Sequence, residues 1–139
     1  MAGAKVSQVI EASAEKVWDL LGDFGGVMRF SAGMESCTVE GEGLGAIRTL
    51  RMPGGIELDE RLEARDESAR TLSYSITRGP LPMKAYYATI SVCEEGENAC
   101  RVDWESTYEP SGVSEEQAQE LAEGIYNGSL AAVKKTLGV

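Results

Sequence analysis

Ile56-Glu57-Leu58-Asp59-Glu60-Arg61-Leu62-Glu63-Ala64-Arg65 alternates with a period of two. Glu57, Asp59, Arg61, Glu63 and Arg65 fall on one face, and Ile56, Leu58, Glu60, Leu62 and Ala64 on the other. Successive side chains of a strand point to opposite sides, so the first set is expected to meet water and the second a core. Glu60 is the single charged residue on the apolar face. A buried carboxylate is costly unless it is paired or hydrogen-bonded, so Glu60 points to a polar feature inside an apolar space.

On either side of this strand the same pattern repeats. Candidate strands cover about 34–40, 46–52, 70–78, 84–94 and 99–108, and Val6 to Ile10 reads as a further short strand. Short turns rich in Gly, Pro, Asn and Asp separate most of them. Ser13 is a good N-cap for a helix carrying Val17, Trp18, Leu20 and Leu21, and Gly22 stops it. The stretch 23–33 reads as a second short helix or a loop. A long helix closes the chain. Ser114 and Gln117 form a capping box at its start, and Gly138 ends it. Its expected apolar stripe is Ala118, Leu121, Ala122, Ile125, Ala132 and Val133, with Ser129 on the same face. The implied fold is α+β: a curved antiparallel sheet of seven strands wrapped around a long C-terminal helix, with two short helices after strand one. At 139 residues, one domain spanning 1–139 is expected.

Composition narrows the function. The net charge of −10 offers no basic stripe for nucleic acid. No run reaches the ~18 apolar residues of a membrane span. The first five residues lack the apolar stretch of a signal peptide, so a cytoplasmic location is expected. The chain has no histidine, which removes the usual general base and most zinc sites. No metal or cofactor is implied. Cys37, Cys93 and Cys100 form no CxxC and read as reduced thiols, although Cys93 and Cys100 flank one hairpin loop. Gly41 to Gly45 lacks the lysine of a phosphate loop and reads as a hairpin connection.

Turn positions predict the register of the inner face. A turn centred on Gly54 sets Met52 against Ile56, Leu50 against Leu58 and Arg48 against Glu60. A turn centred on Glu67 sets Leu62 against Leu72, Glu60 against Tyr74 and Leu58 against Ile76. A turn centred on Leu81 sets Ile76 against Tyr86 and Tyr74 against Ala88. One inward row then reads Arg48, Glu60, Tyr74, Ala88. The pattern is compatible with a cavity holding an Arg–Glu–Tyr group, and equally with a filled core containing an internal ion pair.

Gly45-Ala46-Ile47-Arg48, the turn Met52-Pro53-Gly54-Gly55, Glu60-Arg61-Leu62 and the loop before Tyr86 resemble the START-like (SRPBCC) superfamily of polyketide cyclases, dehydrases and lipid transporters. Ser36-Cys37-Thr38-Val39-Glu40 and the order of later elements also resemble the plant abscisic acid receptors, and the fold type that of pollen-allergen proteins. The resemblance implies a helix-grip fold with a deep apolar cavity. It puts the pocket glutamate on Glu60, pocket residues on Tyr74, Ile76, Tyr86 and Ala88, and mouth loops on Pro53 to Gly55 and Gly79 to Pro82. It puts the helix positions that face the ligand on Leu121, Ile125 and Ser129. Two places depart. The lysine that holds the ligand carboxylate in the receptors falls near Ser31, and their latch is replaced by Leu81 and Pro82. Abscisic acid is therefore not the expected ligand. The resemblance turns Glu105 inward, whereas apolarity favours Val102 and Trp104.

Two functions follow as expectations. In the first, the protein binds a small hydrophobic or aromatic molecule: Arg48, Glu60, Tyr74, Tyr86 and Ser129 orient it, Leu50 and Leu58 form part of the wall, and Met28, Phe30, Met52, Pro53 and Leu81 shape the mouth. In the second, it is a cyclase, dehydratase or lyase in which Glu60 is the acid or base, Arg48 tunes it and Tyr74 or Tyr86 donates a hydrogen bond. No protein partner is indicated, and a monomer or a homodimer is expected.

Overall fold

Seven strands pair edge to edge in the order β1-β7-β6-β5-β4-β3-β2, every neighbour antiparallel, in a computed structural model that describes residues 2–31 and 33–139. The strands are β1 (Ala2–Ile10), β2 (Ser36–Glu40), β3 (Ile47–Met52), β4 (Ile56–Asp66), β5 (Thr71–Arg78), β6 (Met83–Glu94) and β7 (Cys100–Pro110). Helix α1 (Ala14–Leu21) and a single 3-10 turn (Val27–Arg29) follow β1, and α2 (Glu115–Leu137) closes the chain. Within the 23–33 stretch, Ala32 lies outside the described residues, as does Met1 at the start. No helix among the described residues is long and apolar enough to cross a membrane. The sheet begins earlier than the pattern suggests, at Ala2, because all nine residues of β1 pair along β7. Gly3 is needed there, since a Cβ on it would lie 2.6 Å from the Ser106 carbonyl oxygen.

The β3–β4 register is as expected, with Met52 opposite Ile56, Leu50 opposite Leu58 and Arg48 opposite Glu60. The β4–β5 register is not. Glu60 lies opposite Ile76 and Leu62 opposite Tyr74. The pairing shifts twice, between Asp59 and Glu60 and between Leu62 and Ala64. Each bulge inserts one unmatched residue, first on β5 and then on β4, which counting back from a turn centre cannot foresee. The second bulge also reverses the alternation. Ala64 is exposed, and the guanidinium of Arg65 reaches inward over the Trp18 ring, 5.1 Å from its centroid. Ile56, expected to be inside, is 46% exposed at the hairpin end. Leu58, Glu60 and Leu62 are the buried residues of β4.

Tyr74 does face Ala88, and that row continues through Ser106 and Ala4. A third bulge lies on β6, where Ala85 takes φ +51° and the pairing jumps from Lys84 to Tyr87. Met83 and Tyr86 are thereby both buried, at odd spacing. Cys93 pairs with Arg101 and Glu94 with Cys100, so the two thiols project from opposite faces and both are free.

Both ends of α2 are capped as the sequence predicts. At its start the Ser114 hydroxyl accepts from the Gln117 amide, while the Gln117 side chain accepts from the Ser114 amide. Gly138 ends the helix with φ +74°. The buried stripe of α2 is Ala118, Ala122, Tyr126, Leu130 and Val133. Tyr126 and Leu130 lie outside the predicted stripe, and Leu121 and Ile125 are 38% and 40% exposed. The sequence offers two neighbouring apolar stripes about one residue apart in rotation. The one with Tyr126 wins the core: its ring stacks on Trp104 at 4.9 Å and its hydroxyl donates to Ser106 at 2.7 Å. A Cβ on Gly124 or Gly128 would meet nothing within 4 Å, so close packing is not what keeps these residues small.

Candidate functional site

The second stripe of α2 and the loop after α1 leave a cavity of about 170 Å³ against the inner face of the sheet. Val27 and Phe30 wall it from the 3-10 turn, Leu50 and Met52 from β3, Leu58 from β4, Leu81 from the β5–β6 loop, and Ile125 and Ser129 from α2. These are mostly the residues of a small apolar cluster centred on Val27, Leu50 and Leu58. A hydrophobic strand face opposite a helix accounts for such a space when the side chains on that helix face are short or turned aside.

Of the residues singled out from sequence, Phe30, Arg48, Leu50, Met52, Leu58, Glu60, Tyr74, Leu81, Ile125 and Ser129 line the cavity. Met28 (43% exposed), Leu121 and Pro53 lie outside the lining, on the surface. Ile76, Tyr86 and Ala88 also lie outside it, and Tyr86 and Ala88 are buried in the main core. Leu21, Asp23, Val27 and Met34 line the cavity although the sequence pattern does not single them out. Leu21 is the last apolar residue of α1, but the others sit in an aperiodic stretch that carries no signal of direction. Trp104 lines the cavity and Glu105 is exposed, so β7 follows simple apolarity and the inward placement of Glu105 is corrected. The bulge near this place lies on β6, and the β6–β7 pairing is regular at Glu105.

Arg48 and Glu60 meet inside the cavity wall. The Arg48 Nε donates to Glu60 Oε1 at 2.8 Å, and Nη2 lies 2.7 Å from the same oxygen. Nη1 donates to the Phe24 carbonyl at 3.0 Å, which ties β3 to the loop after α1. The guanidinium also sits 4.3 Å from the Phe24 ring centroid and 5.3 Å from that of Tyr74. Both side chains are less than one-tenth exposed. No described residue donates to Glu60 Oε2.

Behind this pair lies a layer of hydroxyls. Trp104 Nε1 donates to the Tyr74 hydroxyl at 3.2 Å. The Tyr126 proton goes to Ser106, so Tyr86 donates to the Tyr126 oxygen. Burial pushes the phenol of Tyr74 well above the usual tyrosine value, and nearby Glu60 raises it further. Burial does the same to Tyr86, Tyr126 and Tyr108. All four are therefore neutral and none is a base at ordinary pH. The sign of the linkage follows. A tyrosine whose folded pKa is raised contributes stability that is complete below the unfolded value of about 10 and is lost as pH climbs past it. We expect alkaline titration to show tyrosinate absorbance from these four residues only together with loss of the near-ultraviolet circular dichroism. Their ionisation with the fold intact would contradict this account.

Residues 1–138 match the family described as polyketide cyclase / dehydrase and lipid transport. The protein XoxI from Bacillus cereus has the same fold with a TM-score of 0.90 and 34% identity, covering 97% of this chain and 94% of that one. The abscisic acid receptor PYL6 of Arabidopsis thaliana is 26% identical over 94% of this chain, and the chain spans 66% of that receptor's length. Norcoclaurine synthase from Thalictrum flavum, solved in complex with dopamine and hydroxybenzaldehyde, is 19% identical and superposes with a TM-score of 0.72, covering 97% of this chain and 85% of its own. At that identity the likeness is one of fold: a curved seven-stranded sheet around a long helix. A sheet that grips its last helix, with Glu60 inside it, and a match along nearly the full chain lead to one statement: the protein belongs to the polyketide cyclase/dehydrase and lipid transport family.

Proposed function

We propose that this protein binds a small, mainly apolar molecule in the cavity between the sheet and α2. The observation that carries this reading is the pairing of apolar walls with a carboxylate in the cavity lining, Glu60, whose Oε2 receives no hydrogen bond from a described residue and is not sealed off. Binding sites combine an apolar lining with a few placed polar groups, whereas a filled core matches nearly all of its acceptors. Arg48 is the positioning residue here, since it fixes both Glu60 and the Phe24 backbone. Family membership supports the same reading, because the family's description names polyketides and lipids, both largely apolar molecules. The plant receptor's ligand is not carried over, because the place of its carboxylate-holding lysine falls near Ser31.

The test combines native mass spectrometry of the purified protein with a thermal-shift panel of small apolar ring compounds. A ligand that binds only the folded state raises Tm with its concentration. At least one compound is expected to do so, and Ser129→Phe, which fills the cavity from the α2 side, is expected to abolish the shift while the variant stays folded. If no compound co-purifies or stabilises, the cavity is a packing void and the reading fails. The enzymatic alternative makes Glu60 the proton acceptor. It requires that Glu60→Gln keep ligand binding and lose turnover, and a Gln variant that still turns over a substrate removes it.

A further inference from the structure

We infer that the cavity selects a single-ring apolar molecule bearing one uncharged O–H or N–H donor, bound to Glu60 Oε2, and excludes carboxylates, ammonium ions and long acyl chains. This rests on the binding reading above and sharpens it in size and in charge.

Size comes first. The cavity holds about 170 Å³. A dry cavity of roughly 150 Å³ accommodates benzene, whereas sites for drug-sized molecules run to about 300–1,000 Å³. The space therefore matches one ring with a short substituent. A multi-ring polyketide or a long acyl chain would have to extend beyond it, although the family is described by both.

Charge comes second. The charged groups on the cavity wall are Asp23, Arg48 and Glu60. Asp23 is paired with Arg29 at 3.2 Å. Arg48 directs Nε and Nη2 at Glu60 Oε1 and Nη1 at the Phe24 carbonyl, and its faces lie on two aromatic rings. The one cation on the wall, Arg48, is already paired with Glu60, so a ligand carboxylate would have to compete with Glu60 for it and a buried ammonium would stand beside a guanidinium. An added charge of either sign is desolvated without a partner.

Hydrogen bonding comes third. Among the described residues, the buried polar side-chain atom with neither a partner nor exposed surface is the Tyr108 hydroxyl, so Glu60 Oε2 is not sealed in. Glu60 is 5% exposed overall and lines the cavity, so the space next to Oε2 is the cavity itself. A carboxylate oxygen is an acceptor only, and the group that completes it must donate.

The test uses the intact protein and five probes: para-ethylphenol, its methyl ether, para-ethylbenzoate, para-methylbenzylammonium and decanoate. Binding is read by calorimetry and by the shift of the Trp104 indole N–H resonance. Hydrogen bonds to charged acceptors predict that the phenol binds at least about tenfold tighter than its ether. Neither charged ring should bind measurably, and decanoate should not displace the phenol. Glu60→Gln should narrow the gap between phenol and ether, but the wild-type series decides the matter even if that variant does not fold. If the ether, the benzoate or the ammonium equals the phenol, or decanoate displaces it, this inference falls and the binding reading stands. If no probe binds or moves Trp104, while a larger apolar compound does, the size limit is wrong. If nothing at all binds, both readings fall.

Discussion

Glu60→Leu in an otherwise unchanged chain is expected to lower stability by about 3–5 kcal/mol, the usual cost of leaving one partner of a buried ion pair alone. Arg48 would keep its guanidinium 8% exposed, with only the Phe24 carbonyl and two ring faces to replace a carboxylate. Arg48→Met should fall in the same range, for the mirrored reason. The double variant Arg48→Met/Glu60→Leu should recover most of the loss, because two apolar side chains of similar volume remove both desolvation penalties at once. It should stay about 1 kcal/mol below full recovery, since the buried Phe24 carbonyl loses its donor. Urea unfolding of the four proteins gives the coupling energy directly. If each single change costs less than about 1 kcal/mol, the pair is solvated in the way exposed pairs are, and Glu60 is not the isolated polar group on which the functional reading depends.

Tyr126→Ala is expected to cost about 3–5 kcal/mol, the range for deleting a buried aromatic ring. The residue is 1% exposed and lies where α2 meets β7, stacked on Trp104. Tyr126→Phe keeps the ring and separates packing from hydrogen bonding. It should cost about 1–3 kcal/mol, because the Tyr86 hydroxyl loses its acceptor and Ser106 its donor in a buried place. Trp104 reports on the outcome: its fluorescence should change in the alanine variant and hardly in the phenylalanine one. Equal losses in both variants would mean that the hydroxyl network, and not the ring, holds the helix to the sheet. A negligible loss in both would mean that α2 seats on its other stripe.

That choice between stripes marks the boundary of what the sequence shows. Period-two alternation in residues 56–65 establishes a half-buried strand, and six more such runs with hairpin turns establish an antiparallel sheet. Ser114, Gln117 and Gly138 delimit the last helix by cap chemistry that is local in the chain. The Arg48–Glu60 pairing follows from the short Pro53-Gly54-Gly55 connection, which sets Met52 against Ile56 and fixes the register on either side. All of these depend on neighbours close in sequence, so the sequence alone determined them.

The rest depends on contacts between distant residues. The bulges at β4–β5 and on β6 move Tyr74 one step from Glu60 and bring Met83 and Tyr86 to the same side. One inserted residue reverses the facing of everything beyond it, and its position is set by how strands and helices meet, not by any local preference. By pattern Leu121 belongs to the expected stripe and Tyr126 does not, yet Leu121 is on the surface and Tyr126 is buried. Tyr126 is inside because Trp104 and Ser106, some twenty residues away, offer its ring a face and its hydroxyl an acceptor. The cavity belongs to this second group. Asp23, Val27 and Met34 reach it from an aperiodic loop that Arg48 pins through the Phe24 carbonyl. Sequence supplied the carboxylate and the sheet that carries it. The tertiary fold decided which walls surround it, because packing follows volume and distance, which a linear pattern does not record.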